Sequence, residues 1–296
     1  MKKRIVSVLV LLSFIVPAQW TFLCNILPSA HTFSLSAAAA GNTVVIAGKE
    51  FDPTVELLDL SGIVLDSTEE LEAALPSFPN LKQVDMCGCG ICNEEMEALN
   101  QRYEGIKFVW TVTIRGIQLR TDATAFMPTK HGYHVSSEDC QVLQYCHDLI
   151  WLDLGHMSVK DCSFLYGTPK LKCLILADTP VSDLRPISHL TDLEFLELFF
   201  TKVSDYWLLT NCSSLKDLNV CYSPALDNVP FSRMTGLHRL WIIGSSLSTE
   251  NQNTLRDALP DTQILFHSLS STDKGWRSCS RYFAMRDAFG MPYNTY

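Results

Sequence analysis

The chain has 296 residues, of which 47% are hydrophobic and 19% are charged. Wholesale disorder is therefore excluded, and the apolar content is enough for one large core or two ordinary domains. The formal charge is −9. A nucleic-acid-binding protein needs a basic face, so we expect no nucleic acid among the partners.

The first 40 residues have the pattern of a secretory signal peptide. Residues 2–4 are Lys-Lys-Arg, residues 5–16 form an apolar run, and residues 37–40 are four alanines that suit a cleavage site. The alternative is an uncleaved anchor, because residues 5–27 are long enough to cross a bilayer. Either reading places the rest of the chain outside the cell, as a secreted or cell-surface protein.

Short apolar segments recur with a period of 26 residues after the leader, beginning at Val55, Leu81 and Lys107. Helix-start signals follow the first two segments. Ser67 opens a Ser-x-x-Glu capping box, and Asn93 precedes a run with two acids in its first turn. This part of the chain therefore predicts strand–helix units.

Cys89-Gly90-Ile91-Cys92 lies where a strand ends and a helix begins. A thioredoxin-like redox motif has this placement, because a helix N-terminus lowers the pKa of a thiol. The competing interpretation is structural, since Cys89 falls on a repeat position that is normally buried. A zinc site would need further ligands with a spacing of their own, so no metal is predicted here.

The repeat pattern lapses between residues 113 and 135. Arg115-Gly116 can turn a hairpin, and His131 and His134 fall in a loop. We expect an insertion loop that protrudes from the repeats and is a candidate functional segment. A simple junction between two repeat types is the alternative, and two histidines alone do not make a metal site.

The pattern becomes regular in the next part of the chain. Segments that share one apolar pattern start 22 residues apart, at Leu149, Leu171, Leu193, Leu215 and Leu237. Counting each of these leucines as position 1, positions 4 and 6 are apolar in every copy, as expected for a short strand with one buried face. Stacking such units gives a parallel sheet and one continuous core.

The C-terminal residues differ from the repeats in composition. A polar, serine-rich linker over residues 268–274 leads into a segment rich in aromatic and basic side chains. Tyr282, Met285 and Phe289 are spaced as on one face of a helix. The segment can dock on the repeats as a cap or reach a partner.

These motifs resemble a known family. The most specific segments are LIWLDLGH at 149–156, LKCLILADTPVSDLRPISHLTDLEFLELF at 171–199, SLKDLNV at 214–220 and GWRSCSRYFAMRDAFGMPY at 275–293. On these segments the chain is similar to the secreted leucine-rich-repeat proteins of Firmicutes and, distantly, to internalins. The resemblance implies a curved solenoid that binds a protein or a glycan, without catalytic residues or a cofactor. Internalins carry Asn at position 9, where this chain has Cys, Met, Thr or Ser.

The predicted fold class is therefore α/β, a leucine-rich-repeat solenoid with a parallel sheet on its concave face. Repeats of 22 residues are flanked by 26-residue strand–helix units. The predicted units are residues 1–40 as signal peptide or uncleaved anchor, 41–112 as N-terminal strand–helix repeats, 113–135 as insertion loop, 136–267 as leucine-rich repeats and 268–296 as linker and tail.

The outward strand positions hold aromatic side chains beside acidic ones. Exposed aromatic bands of this kind are typical of contact surfaces. We therefore predict a ligand-binding site on the concave face. Its residues are Trp151, Asp153, Phe195, Glu197, Phe199, Tyr222, Arg239 and Trp241. The alternative is that the C-terminal tail covers this band within the same chain.

The predicted function is non-enzymatic recognition of a protein or glycan outside a bacterial cell, with no cofactor and no metal. The membrane is a partner only if the N-terminal segment stays uncleaved. One alternative is an exported thiol-active protein, redox or metal-binding, that uses Cys89 and Cys92. A second alternative is a structural envelope protein held by the N-terminal anchor.

Overall fold

The computed structural model describes residues 43–291. Their strands are short, from two to four residues each. They are β1 (Val44–Ile46), β2 (Lys49–Phe51), β3 (Leu57–Asp59), β4 (Gln83–Asp85), β5 (Lys107–Val109), β6 (Thr111–Ile114), β7 (Ile117–Arg120), β8 (Ala125–Phe126), β9 (Trp151–Asp153), β10 (Cys173–Ile175), β11 (Phe195–Glu197), β12 (Asp217–Asn219), β13 (Arg239–Trp241) and β14 (Gln263–Leu265).

Helical turns connect the strands on the other side of each repeat. The α-helices are α1 (Glu69–Ala74), α2 (Asn93–Arg102), α3 (Ser137–Cys140), α4 (Val229–Ser232), α5 (Thr249–Ala258) and α6 (Ser280–Ala288). The 3₁₀ turns are Leu75–Ser77, Pro128–His131, Gln141–Tyr145, Ser163–Gly167 and Trp207–Asn211. The ten-residue helices α2 and α5 belong to the longer units, because four extra residues give the return segment room for a helix.

Parallel pairing in the predicted register confirms the leucine-rich-repeat solenoid. Strands β8 to β14 form one seven-stranded sheet in sequence order. Along it, Trp151 pairs with Cys173, Cys173 with Phe195, and Phe195 with Asp217, each step being one repeat. Strands β3, β4 and β5 form a second parallel sheet at the 26-residue period.

One hydrophobic core runs through the stacked repeats, from Ile46 to Phe266. The leucines at positions 4 and 6 of the regular repeats have almost no exposed surface, as Leu152 and Leu154 show. A single three-residue strand could not bury an apolar face alone, so each repeat depends on its neighbours for stability.

Hydroxyl side chains occupy position 9 in three consecutive regular repeats. The Thr179 hydroxyl donates to the Leu176 carbonyl at 2.6 Å, and the Thr201 hydroxyl donates to Leu198 at 2.8 Å. The Ser223 hydroxyl reaches back one repeat to the same Leu198 carbonyl at 2.7 Å and accepts from the Thr201 N–H at 2.9 Å. Hydroxyl groups thus satisfy buried main-chain groups at these turns.

The predicted helix starts are displaced by one residue. Helix α1 has Thr68 as its N-cap, and no capping box forms at Ser67, because the Glu70 carboxylate accepts from the Ala47 N–H at 2.8 Å instead. Asn93 is the first residue of α2, and its side chain accepts from the Trp110 indole at 2.9 Å. Local sequence rules take no account of such tertiary contacts, so the helix starts that they predict differ by one residue from those in the structure.

The insertion at residues 113–135 is more ordered than a protruding loop. Strands β6 and β7 form the predicted hairpin around Arg115-Gly116. Strand β8 then pairs with β9 and becomes the edge of the main sheet. The insertion therefore supplies the edge strand of the main sheet, and the 3₁₀ turn Pro128–His131 follows that strand.

The predicted signal peptide, residues 1–40, lies outside the described residues. Across residues 43–291, no helix combines the length and the apolar character that a membrane crossing requires.

His147 ties the N-terminal units to the regular repeats. Its Nε2 lies 2.9 Å from a carboxylate oxygen of Glu97, and its Nδ1 lies 2.7 Å from the Gly167 carbonyl oxygen. Both contacts favour the protonated ring, and the Glu97 hydrogen bond, opposed by burial, raises the pKa of His147 above its ordinary value.

We expect stability to depend on the protonation of His147. Because the pKa is raised on folding, the contribution is complete below the ordinary value of 6.5 and is lost as pH rises through the folded pKa. The side chain is 40% exposed, so we expect only about 0.5 kcal/mol after solvent screening. Urea unfolding from pH 5.5 to 8 should show this loss in the native protein and not in His147→Gln. Parallel profiles for the two proteins would contradict it.

Candidate functional site

The C-terminal tail lies on the concave face of the main sheet. Helix α6 packs against β10, and the residues before it cross the middle strands. The Trp276 side chain is fully buried, with ring centroids 5.1 Å from both Phe195 and Trp241. A second hydrophobic cluster therefore fills the space between the sheet and the tail, separate from the core inside the repeats.

A buried carboxylate fixes the centre of this contact. Glu197 accepts from the Trp276 indole at 2.7 Å and from the Arg277 guanidinium at 2.8 and 3.1 Å. The Glu197 side chain has no exposed surface. A buried carboxylate without partners is strongly unfavourable, and the tail that covers Glu197 also supplies the hydrogen bonds that compensate for the lost water.

A second buried carboxylate lies one strand further along the sheet. Asp217 accepts from Arg239 Nε at 2.7 Å and from Arg281 Nη1 at 2.9 Å. The Arg239 guanidinium carbon also lies 4.6 Å from the centroid of the Trp276 ring. Arg239 thus pairs with Asp217 within the sheet and joins the sheet to the tail through the cation–π contact and a hydrogen bond to the Trp276 carbonyl at 2.9 Å.

The predicted linker is tied down as well. The Asn219 amide donates to the Ser271 carbonyl at 2.8 Å, and the Trp241 indole donates to the Asp273 carbonyl at 3.0 Å.

The tail and the body of the protein carry opposite net charges, which favours their contact. Residues 268–296 carry four Lys or Arg against two Asp, whereas residues 41–267 carry 16 basic and 30 acidic side chains.

The expectation of an exposed concave band is wrong for most of its residues. Phe195, Glu197 and Trp241 are fully buried, and Phe199 retains 6% exposure. Trp151, Asp153 and Arg239 are half-buried, and Tyr222 remains accessible with 38% of its surface exposed. The physical reason is the tail, which offers indole, guanidinium and apolar groups that match the band. The structure has the alternative arrangement, in which the C-terminal tail covers the band within the same chain.

A different set of side chains stays open at the end of the strands. Position 8 follows each strand and has a left-handed backbone, with φ from 54° to 62° at His156, Asp178, Phe200 and Tyr222. We call these four residues the rim row. Glycine occupies the same position in other units, as Gly62, Gly88 and Gly244. Glycine adopts this conformation without strain, whereas a bulky residue rarely does.

The rim row is polar at one end and aromatic at the other. His156 Nδ1 lies 2.9 Å from a carboxylate oxygen of Asp178. The rings of Phe200 and Tyr222 are stacked, with centroids 4.7 Å apart and an interplanar angle of 8°. Phe200 is 51% exposed. A side chain at Gly244 would meet the Tyr222 ring at 2.6 Å, so the glycine makes room for the stack.

Cys89, the first thiol of the cysteine motif, lacks the surroundings of a reactive thiol. Burial raises the pKa of Cys89 to about 11, and its thiol donates to the Leu60 carbonyl at 3.2 Å. Cys92 is exposed as the N-cap residue of α2. Within residues 43–291, no group of three or more His, Cys, Asp or Glu side chains could hold a metal ion. A high thiol pKa disfavours the redox alternative.

Comparison with known proteins gives matches only among solved structures. No protein-family model matches the sequence, and no curated protein matches it. An internalin of Listeria monocytogenes, InlF, is 18% identical, with a TM-score of 0.44 over 76% of this chain and 60% of that one. Internalin C2 of the same organism is 14% identical, with a TM-score of 0.38 over 77% and 81%. TLR13, in a complex with ssRNA13, is 18% identical, with a TM-score of 0.37 over 73% and 33%.

This chain thus spans about 60% of the length of the InlF chain. At these identities and TM-scores, the likeness gives no information about a ligand. The fold class follows from the strand order and register of the protein itself.

We expect the tail contact to contribute strongly to stability. Trp276→Ala removes a fully buried indole and should lower the free energy of unfolding by about 3–5 kcal/mol. Trp207→Ala is the matched control, since Trp207 is 47% exposed on a 3₁₀ turn, and should change it by less than about 0.5 kcal/mol. Urea unfolding measures both. Equal effects of the two substitutions would show that the tail does not hold this position in solution.

Proposed function

We propose that the protein is a non-enzymatic recognition module that acts outside the cell and binds a protein or a glycan through the rim row. The proposal of an extracellular role rests on the signal-peptide pattern of residues 1–40. The acidic body disfavours nucleic acid as the ligand, because phosphate contacts need clustered basic side chains.

The left-handed backbone of the rim row is the observation that carries this proposal. A non-glycine residue in this conformation costs about 1–2 kcal/mol. The cost falls on Phe200 and Tyr222 and is smaller at His156 and Asp178, since His and Asp adopt this conformation more readily, although glycine serves the same position at Gly62 and Gly88. Strained residues with exposed side chains are concentrated at functional sites, where the side chain itself is needed.

The chemistry of the rim row suits a contact surface. Phe200 and Tyr222 present a rigid aromatic pair, and Tyr adds a hydroxyl that can bond a ligand. Asp178 and His156 add a hydrogen-bonding pair on the same edge. Aromatic side chains held in one arrangement lose little entropy on binding and dominate the energetics of many interfaces.

The predicted concave-face residues are only partly available to a ligand. Tyr222 belongs to the rim row and is accessible while the tail is docked. Trp151, Phe195, Glu197, Phe199, Arg239 and Trp241 could form a continuous ligand surface only after the tail had left the sheet, whereas Asp153 stays half-buried beside the docked tail. Their burial supports a role in holding the tail.

We expect the double variant Phe200→Gly/Tyr222→Gly to lose ligand binding by at least about ten-fold, the loss of a single interface hot spot or more. Its free energy of unfolding should stay within about 1 kcal/mol of the native value. Relief of backbone strain, about 1–2 kcal/mol per residue, offsets the lost stacking and ring packing.

The experiment screens the exported protein against surface proteins and a glycan array, with Trp207→Ala as the matched control for an exposed aromatic side chain. A ligand retained by the native protein and by Trp207→Ala, and lost by the double variant, supports the proposal. Undiminished binding by the double variant would refute it.

A further inference from the structure

A cavity of about 280 Å³ opens beside the first residue of the rim row. It exists because position 7 is nearly empty in two consecutive repeats, where Gly155 and Ala177 stand. The next repeats fill the same position with Phe199, Cys221 and Ile243, all buried. A side-chain carbon at Gly155 would lie 3.2 Å from both Asp153 Oδ1 and the Ile175 side chain, so glycine lets these two lining side chains lie close to the backbone.

Separate parts of the chain line the cavity. The insertion contributes Thr129 and Lys130, the repeats contribute Asp153 and His156, and the tail contributes Arg277. The insertion and the tail meet here, since Lys130 Nζ donates to the Phe289 carbonyl at 2.7 Å. The cavity is therefore complete only when the tail is docked. In this arrangement the docked tail serves ligand binding as well as stability.

The charged side chains around the cavity limit the chemical classes of ligand that it can bind. Lys130, Arg277 and Arg286 disfavour an amine or another cation. The Asp153 carboxylate disfavours a phosphate or a second carboxylate. Burial raises the pKa of Asp153 to about 6, and nearby Glu197 adds to the rise, whereas Arg277 and His156 oppose it. A neutral molecule that both donates and accepts hydrogen bonds satisfies groups of both signs.

The polar and apolar parts of the wall are arranged for a hydroxylated ring. Asp153 accepts one protein hydrogen bond, from the Gly155 N–H at 2.9 Å, and a carboxylate has acceptor sites for further hydroxyl protons. Ile175 and Ala177 form the apolar side of the cavity wall. The volume lies just below the usual range for drug-sized ligands, which fits a single ring.

We propose that this cavity binds one neutral sugar residue, the terminal unit of a glycan whose next residues lie along the rim row. His156 is shared by the two surfaces, because it lines the cavity and begins the row. The assignment rests on the proposed recognition function and names the glycan as its ligand class.

The test uses the exported protein and a panel of methyl glycosides of neutral hexoses and N-acetylhexosamines, followed by saturation-transfer NMR and calorimetry. Ala177→Leu fills the cavity, and Asp153→Asn removes the charge while keeping the acceptor for Gly155. Asp192→Asn is the matched control, an exposed carboxylate away from the cavity. Asp153→Asn keeps the test decisive if Ala177→Leu fails to fold.

Saturable binding of at least one glycoside is expected, weakened at least ten-fold by Ala177→Leu and Asp153→Asn and unchanged by Asp192→Asn. Absence of glycoside binding, displacement by inorganic phosphate, or equal binding by Asp153→Asn and the native protein would overturn the assignment. If Phe200→Gly/Tyr222→Gly loses a macromolecular ligand that Ala177→Leu and Asp153→Asn retain, the cavity assignment fails and the recognition function stands.

Discussion

The hydrogen bonds between the buried Glu197 carboxylate and the Trp276 and Arg277 side chains decide what the molecule can present to a ligand. A carboxylate removed from water must be compensated, and here the compensation comes from the tail rather than from the repeats. In the docked state the tail both covers the sheet and pairs its buried carboxylate. The face that a leucine-rich-repeat solenoid usually offers to partners is closed, and the accessible groups lie at its edge.

Two neighbouring positions of the repeat then take different roles. Position 8 holds the left-handed backbone, so its side chains project from the rim even where that conformation is strained, as at Phe200. Position 7 points beneath the tail and is filled by Phe199 and by the later repeats. Where it shrinks to Gly155 and Ala177, a cavity remains. One side-chain substitution per repeat thus changes the surface from a packed wall to a recess.

Much of the fold is predictable because every repeat must bury the same apolar strand face against its neighbours. The 22-residue spacing of Leu149, Leu171 and Leu193 fixes the strands and their register, and the structure has both. Helix starts are less predictable, since Glu70 and Asn93 use their side chains for tertiary contacts. Those contacts depend on residues far away in the sequence.

The site is less predictable for a different reason. Aromatic residues beside acids are typical both of binding surfaces and of intramolecular interfaces, so Phe195 and Glu197 fit either role. The sequence holds one signal for the second role, the basic Trp276-Arg277 segment after an acidic body. The rim row has a signal too, because aligning Gly62 and Gly88 with Phe200 and Tyr222 shows side chains where glycine is expected.

The exchange of indole protons with solvent, followed by NMR on the protein, tests the covered concave face most directly. We expect strong protection of the Trp276 and Trp241 indole protons, which are hydrogen-bonded to Glu197 and to the Asp273 carbonyl. The exposed Trp207 indole should exchange at once. Exchange of the Trp276 proton as fast as that of Trp207 would show that the tail leaves the sheet in solution, and the open concave face would again be the place to look for a ligand.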